Sequence, residues 1–343
     1  LLKAIRGMEI KLNDLRLPRL KALPSEKLLD MVICADDERL FALAELTRRG
    51  ASIEELYEHT KVDPFFLSKI KALTSWEKAL AESQPAANDL WTAKQLGFCD
   101  ESIAQYSGMS SREVRDLREG LGIRPVYKMV DTCSGEFEAL SPYYYSTYDE
   151  YDEVIESDKE KVIVLGSGPI RIGQGIEFDY SCVHSVLSLK KLGYETIMIN
   201  NNPETVSTDF DISDKLYFEP LAEEDVMNIV EKEKPLGVIL QFGGQTALKL
   251  GKYLQEKGIK ILGTSFDSID IAEDRDRFEE LLEKLNIKRP EGKAVKKVDD
   301  GITAAKELGY PVLVRPSYVL GGQGMEIAYE ELSLKKYLEN AFE

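Results

Sequence analysis

At 343 residues the chain is longer than one ordinary domain of roughly 100–200 residues, so two or three units are expected. An apolar share of 43% with 31% charged residues matches soluble globular protein, and no stretch approaches the roughly 20 uncharged apolar residues of a membrane helix. Lys+Arg 44 against Asp+Glu 61 gives a net charge of −17, which argues against non-specific nucleic-acid binding and leaves room only for a local basic site. Cys34, Cys99, Cys133 and Cys182 lie too far apart for a C-x-x-C redox or zinc pattern, and read as buried small hydrophobes in a reducing compartment. His59 and His184 fall in no paired or H-E-x-x-H pattern, so neither a His-based metal site nor a Ser/His/Asp triad is expected.

The chain opens Leu1-Leu2-Lys3, without Met and without the charged and apolar regions of a signal peptide, and reads as a fragment or a processed product. To about Tyr148 it is dense in helix formers, with apolar residues at helical spacing such as Leu40, Leu43, Ala44 and Leu46. This part is read as all-helical. A weak internal repeat lies at an offset of 47, with Thr47–Leu56 over Lys94–Ile103, Val62 over Met109 and Leu67 over Val114. Each copy reads helix, glycine stop, short helix, turn, helix. Asp63 and Ser110 are placed as N-caps of the last helix, with Pro64 at its first position in the first copy.

Such a pattern invites a DNA-binding reading, with the last helix in a major groove. Charge opposes it: Trp91–Gly120 holds four cations against five anions, and Arg112, Glu113, Arg115, Asp116, Arg118 and Glu119 alternate as on a solvated helix. Packing or assembly is the favoured role. Pro142–Tyr148 and the acidic run to Glu160 have turn chemistry and no helical period, and are read as the link between domains.

From Lys161 the pattern becomes βα alternation. Strands are expected at Val162–Leu165, Thr196–Ile199, Gly237–Leu240 and Lys260–Gly263, with helices at Tyr180–Leu192, Glu223–Lys232 and near Ala247–Lys257. A parallel sheet with crossover connections follows. Beyond it come a helix at Asp274–Leu285, a strand at Gly292–Val295, a helix near Asp299–Leu308, and strands at Tyr310–Arg315 and Met325–Ala328.

Two glycine clusters carry chemistry. Gly166–Gly175 follows a strand and precedes a helix, where backbone N–H groups can meet an anion or can serve packing alone. Its third glycine is displaced to Gly173, the second strand ends Asn200-Asn201-Asn202 with no acid for a ribose, and no Gly-Lys-Ser/Thr closes it. A dinucleotide fingerprint and a P-loop both fail. In the second cluster, Gly321-Gly322-Gln323-Gly324 can fold N–H groups over phosphates while Arg315 offers a guanidinium fork, or the glycines can be a plain hairpin. Asp209, Asp211 and Asp214 are read as solvated rather than as a cation site.

At this point several runs resemble one family, the carbamoyl-phosphate synthase large chain. They are Gly166–Tyr180, Asn202–Asp209, Phe242–Thr246, Ala272–Arg275 and Val314–Gly322, with Gly122–Cys133 and Glu136–Ala139 in the helical half. The resemblance implies a mixed fold: an all-α oligomerisation domain at 1–152, an α/β pre-ATP-grasp domain with a Rossmann-like parallel sheet at 153–272, and the first part of an ATP-grasp domain at 273–343. It further implies an ATP-dependent ligase that makes carbamoyl phosphate from bicarbonate, glutamine-derived ammonia and two ATP for arginine and pyrimidine synthesis. This chain would belong to the second half, which phosphorylates carbamate. Arg275 and Arg315 become nucleotide-contacting arginines, and Gly321 and Gly322 the phosphate-covering loop. The Mg2+ or Mn2+ ligands are placed beyond this chain, which is therefore expected to be inactive alone. Implied partners are a glutaminase small chain and a second copy through the helical domain, in the cytoplasm, with neither nucleic acid nor membrane.

Overall fold

The computed structural model describes residues 1–82, 84–171, 174–315 and 324–342, with the side chains of Arg275 and Asp276 outside that description. The first 122 residues form helices α1 (Leu2–Gly7), α2 (Ser25–Cys34), α3 (Arg39–Arg48), α4 (Ile53–Thr60), α5 (Pro64–Glu82), α6 (Ala87–Gln95), α7 (Asp100–Ser107) and α8 (Ser111–Gly120). Their shared core takes one face of each helix, including Leu43, Leu46, Leu56 and Leu67 from one side and Leu90, Ala93, Ile103 and Val114 from the other. Each such buried Leu, Ile or Val side chain is worth about 1.5–3 kcal/mol relative to exposure.

The internal repeat is structural. Helices α4 and α7 begin at 53 and 100, and α5 and α8 at 64 and 111, both 47 positions apart. Gly50 and Gly97 hold φ +98° and +93° at matched turns. Ser52 and Cys99 cap matched helices, accepting from Glu55 N at 3.1 Å and Ser102 N at 3.4 Å. Asp63 Oδ1 accepts from Phe65 N at 2.8 Å, and Ser110 and Glu113 close a reciprocal capping box.

Two strands precede the point at which strands were expected, and this corrects the all-helical reading up to Tyr148. Strand β1 (Val126–Met129) pairs antiparallel with β2 (Tyr143–Thr147), which in turn runs parallel to β5 (Lys215–Tyr217). The run read as a linker is therefore part of the sheet. Aromatic residues suit a half-buried pleated surface, and Tyr144 is buried while its neighbour Tyr145 is exposed.

The rest of the sheet is parallel and comprises β3 (Lys161–Leu165), β4 (Glu195–Ile199), β5 and β6 (Gly237–Ile239), in the order β1-β2-β5-β4-β3-β6. Side-chain alternation divides the strands between two cores. Ile163, Leu165, Ile197 and Ile199 pack towards α10 (Glu223–Glu233), α11 (Gly244–Leu248) and α12 (Gly251–Glu256). Val162, Val164 and Met198 pack towards α9 (Glu177–Lys191). Residues 260–263 contribute only a bridge between Ile261 and Val238 instead of the expected strand.

The C-terminal part holds α13 (Phe266–Glu273), α14 (Arg275–Lys284), α15 (Val298–Leu308), the antiparallel pair β7 (Val312–Val314) and β8 (Glu326–Ala328), and α16 (Glu331–Phe342). It has its own small core of Ala305, Val314, Ala328, Leu334 and Leu338. The single helix expected at Asp274–Leu285 is preceded by a separate one, because Asp274 turns extended and caps α14 through Arg277 N at 2.9 Å. Residues 292–295 form no strand.

Candidate functional site

The loops after β3 and β6 leave neighbouring strands in opposite topological directions. Such a switch point opens a crevice at the carboxyl ends of a parallel sheet. The glycine-rich run and Phe242–Thr246 meet there. Asn200, fully buried at the end of β4, accepts from Gly168 N at 3.1 Å and from Asn202 N at 3.3 Å, and Asn202 Nδ2 donates to Gly168 O at 3.3 Å. A Cβ on Gly166 would stand 2.6 Å from Asn200 Cγ, so this glycine answers to close packing. Thus one amide of the loop is already satisfied internally, and a buried amide side chain occupies the place where a dinucleotide fold keeps its ribose-binding acid.

Asp179, in the first turn of α9, accepts from Val206 N at 2.9 Å and Ser207 N at 3.0 Å, fixing the loop after β4. Gln174 Oε1 accepts from Arg171 N at 3.1 Å, and Gln174 Nε2 donates to Gln245 Oε1 at 3.2 Å, tying the loop after β3 to the one after β6. Glu9 reaches in from the helical half and binds both Arg171 and Thr246. Sequence reading missed Glu9, Asn200 and Asp179 as organisers. Asn200 carried a signal, as the polar end of an apolar strand, whereas Glu9 carried none.

The second expected site lies at β7–β8. Arg315 directly follows β7, is exposed, and has no ion pair or side-chain hydrogen bond among the described residues. Gly321 and Gly322 lie outside the described residues. The backbone of Arg275 begins α14, and its side chain is outside the description. The described geometry therefore brings none of these expected site residues together. Asp214 is held instead by Thr196, whose N and Oγ1 both donate to Asp214 Oδ2 at 2.8 Å, and by Lys190 at 3.5 Å. Burial opposes ionisation, yet these bonds hold its carboxyl below the usual value.

A third polar cluster joins the helical half to α10. Lys94 Nζ binds Asp100 Oδ1 at 2.9 Å and also Glu224, whose other oxygen accepts from Asp100 N at 2.6 Å. Arg118 Nε lies 2.9 Å from both Asp100 oxygens, and Arg6 pairs with Asp225 at 3.3 Å. Arg115 reaches Tyr253 Oη at 3.0 Å as well as Glu231 and Glu119. This corrects the reading of α8 as a solvated helix: only Arg112 and Asp116 form an exposed pair, while Arg118 is 1% exposed. With Arg115 and Arg118 held by α7 and α10, and Arg112 paired with Asp116, the helix offers no free basic face to a major groove, so the DNA reading falls. Among the described residues no helix is long and apolar enough to cross a membrane.

Comparisons with known proteins give three consecutive matches. Residues 1–122 match the carbamoyl-phosphate synthetase large chain oligomerisation domain, 158–271 the carbamoyl phosphate synthase preATP-grasp domain, and 274–343 the carbamoyl-phosphate synthase L chain ATP binding domain. The carbamoyl phosphate synthase large chain of Clostridium botulinum (strain Loch Maree / Type A3) is 59% identical over 345 residues, covering 100% of this chain and 32% of the relative. That of Clostridium perfringens (strain 13 / Type A) is 58% identical, with the same coverage of 100% and 32%. The chain thus spans about a third of the length of these relatives. The biotin carboxylase domain of Hydrogenobacter thermophilus 2-oxoglutarate carboxylase, solved with MgADP and bicarbonate, superposes with TM-score 0.42 at 25% identity over 54% of this chain and 41% of that one. By three matches in unbroken order and by identity along its whole length, the chain belongs to the carbamoyl-phosphate synthase large chain family.

Proposed function

We propose that the chain is the central part of an ATP-dependent ligase that makes carbamoyl phosphate from bicarbonate, glutamine-derived ammonia and two ATP, feeding arginine and pyrimidine synthesis in the cytoplasm. The observation that carries the reading is the order of the three family matches, helical to α/β to ATP-binding, along one chain. In this reading 1–152 is the helical oligomerisation domain, which lends its terminal hairpin β1–β2 to the next sheet. Residues 153–272 are the pre-ATP-grasp domain, and 273–343 begin the ATP-grasp domain of the carbamate-phosphorylating half. Self-association runs through the helical domain, and a glutaminase small chain supplies ammonia to the full assembly. Because the chain spans about a third of its relatives, it is assigned a share of the reaction, and residues 1–343 alone are expected to form no carbamoyl phosphate.

The residues present suit a nucleotide polyphosphate. An exposed guanidinium without a partner among the described residues, placed at the end of β7 immediately ahead of the glycine-rich run, supports Arg315 as a phosphate contact. Arg275 at the start of α14 is proposed as the second arginine, and Gly321 and Gly322 as the covering loop. ATP supplies the phosphoryl group when bound. The chain's own contribution is to orient it and offset the negative charge that spreads over it during transfer. Ligands for Mg2+ or Mn2+ are assigned to no residue of this chain. In the full-length protein, Arg315→Ala is expected to slow carbamate phosphorylation about a hundredfold and to spare bicarbonate-dependent ATP hydrolysis. Equal loss in both partial reactions would make Arg315 structural.

A further inference from the structure

Residues 7–9 cross from the helical half onto the glycine-rich loop, although nothing in the function proposed above calls on that half for a residue at this crevice. Glu9 lies at φ +54°, in the left-handed region that costs a side-chain-bearing residue about 1–2 kcal/mol. From that position its Oε2 accepts from Thr246 Oγ1 at 2.9 Å and from the Arg171 guanidinium. Arg171 Nη2 also donates to the Glu9 carbonyl at 3.4 Å. One carboxylate thereby pins two loops that leave adjacent strands.

The contact is built from both sides. Gly168 has φ +65°, and a Cβ there would stand 2.8 Å from Glu9 Oε1 and 3.3 Å from Thr246 Cγ2. Asn201 Nδ2 donates to Gly7 O at 2.7 Å, holding the crossing segment against the end of β4. Glu9 is also largely desolvated, with its side chain 12% exposed. Burial lifts its carboxyl above the usual value, against the opposing pull of Thr246 and Arg171. A strained backbone and a desolvated acid are poor ways to gain stability. What the arrangement fixes is the placement of Arg171 relative to the loop after β6.

We propose that Glu9 is a positioning residue of the carbamate-phosphorylating half: it locks Arg171 and Thr246 in one geometry, so that the helical half completes the crevice of the α/β half. The inference rests on the function proposed above.

The test uses the full-length large chain with its glutaminase partner. Glu9→Gln keeps the side-chain volume and an acceptor for Thr246 but removes the charge that holds Arg171. The expected result is a fall of about tenfold in kcat for ADP phosphorylation by carbamoyl phosphate, with KM for ADP, bicarbonate-dependent ATP hydrolysis and the melting temperature essentially unchanged. Arg171→Gln, at the more exposed end of the pair, should give the same kcat loss whether or not the Glu9 variant folds well. An unchanged kcat in both variants overturns the inference, as does equal loss in both partial reactions. An unsubstituted full-length protein that forms no carbamoyl phosphate sinks the function itself and the inference with it, whereas normal activity beside a silent Glu9→Gln sinks the inference alone.

Discussion

The two copies of the helical repeat share caps, glycine turns and core positions, yet they end in different surroundings. In the first, α5 opens with Phe65 and Phe66 exposed at 58% and 60%, and Lys71 is exposed. In the second, the residue 47 positions after Lys71 is Arg118, fully buried against Asp100. Thr47, Ile53 and Ser68 in the first copy correspond to Lys94, Asp100 and Arg115 in the second, which together build the polar cluster on α10. Local sequence specifies the same helix-turn-helix framework twice. Four substitutions on it decide which copy meets solvent and which meets the α/β half.

The sharpest way to break this comparison is to remove matched side chains. Arg118→Ala leaves Asp100 buried with Lys94 alone, and losing one partner of a buried ionic cluster costs about 3–5 kcal/mol. Lys71→Ala touches no buried group and is expected to stay within about 0.5 kcal/mol. Urea unfolding of the two variants measures the gap; similar losses would mean that the second copy is not specialised for docking.

Acid should reveal the same asymmetry more gently. Burial opposes ionisation of Glu224, yet the charges of Lys94 and Arg118 and the Asp100 amide outweigh it and hold its carboxyl below the usual value. At Asp100 burial prevails over the pull of Lys94 and Arg118, and the carboxyl is raised. A depressed carboxyl contributes stability above its unfolded value of about 4.3, and that contribution is lost as pH drops through the lower folded value. Trp91 packs edge-on to Tyr148 at 6.3 Å, beside Lys94, while Trp76 sits in the first copy. Acid titration below about pH 4 should therefore perturb Trp91 before Trp76, and Glu224→Gln should flatten that acid limb. Simultaneous change at both tryptophans, unaffected by the substitution, would assign the acid transition elsewhere.

Where the fold was legible, the signal was local. Continuous apolar runs located β3, β4 and β6, and helical spacing with caps located the repeat. Strand β5 escaped because it is three residues long and carries Lys215, whose charge is buried against Glu233 at 3.0 Å and Glu195 at 3.5 Å. Strand β2 was hidden in a tyrosine run that reads equally as turn or strand, and its aromatic content was the clue in favour of strand. At the sites, motif spacing identified the glycine-rich loop but not what holds it. Arg171 and Glu9 are 162 positions apart, and Arg115 and Glu231 are 116 apart. No periodicity or cap connects such pairs; only the docked tertiary structure does.

The smallest expected effect tests the similarity of the two copies. Asp63 Oδ1 accepts from Phe65 N at 2.8 Å, and Ser110, the matched cap 47 positions on, accepts from Glu113 N at 3.2 Å while Glu113 returns a bond to Ser110 N at 2.7 Å. Replacing either residue with Ala removes an N-cap bond worth about 1 kcal/mol, and at Ser110 also an exposed donation from Oγ to Glu113 Oε2 at 2.7 Å. Both sites are exposed and neither touches α10, so docking gives no reason for the losses to differ. Thermal unfolding of Asp63→Ala and Ser110→Ala should agree to within about 1 kcal/mol. A much larger loss at Ser110 would show that the framework of the second copy, and not only its buried charges, has been tuned by contact with the α/β half.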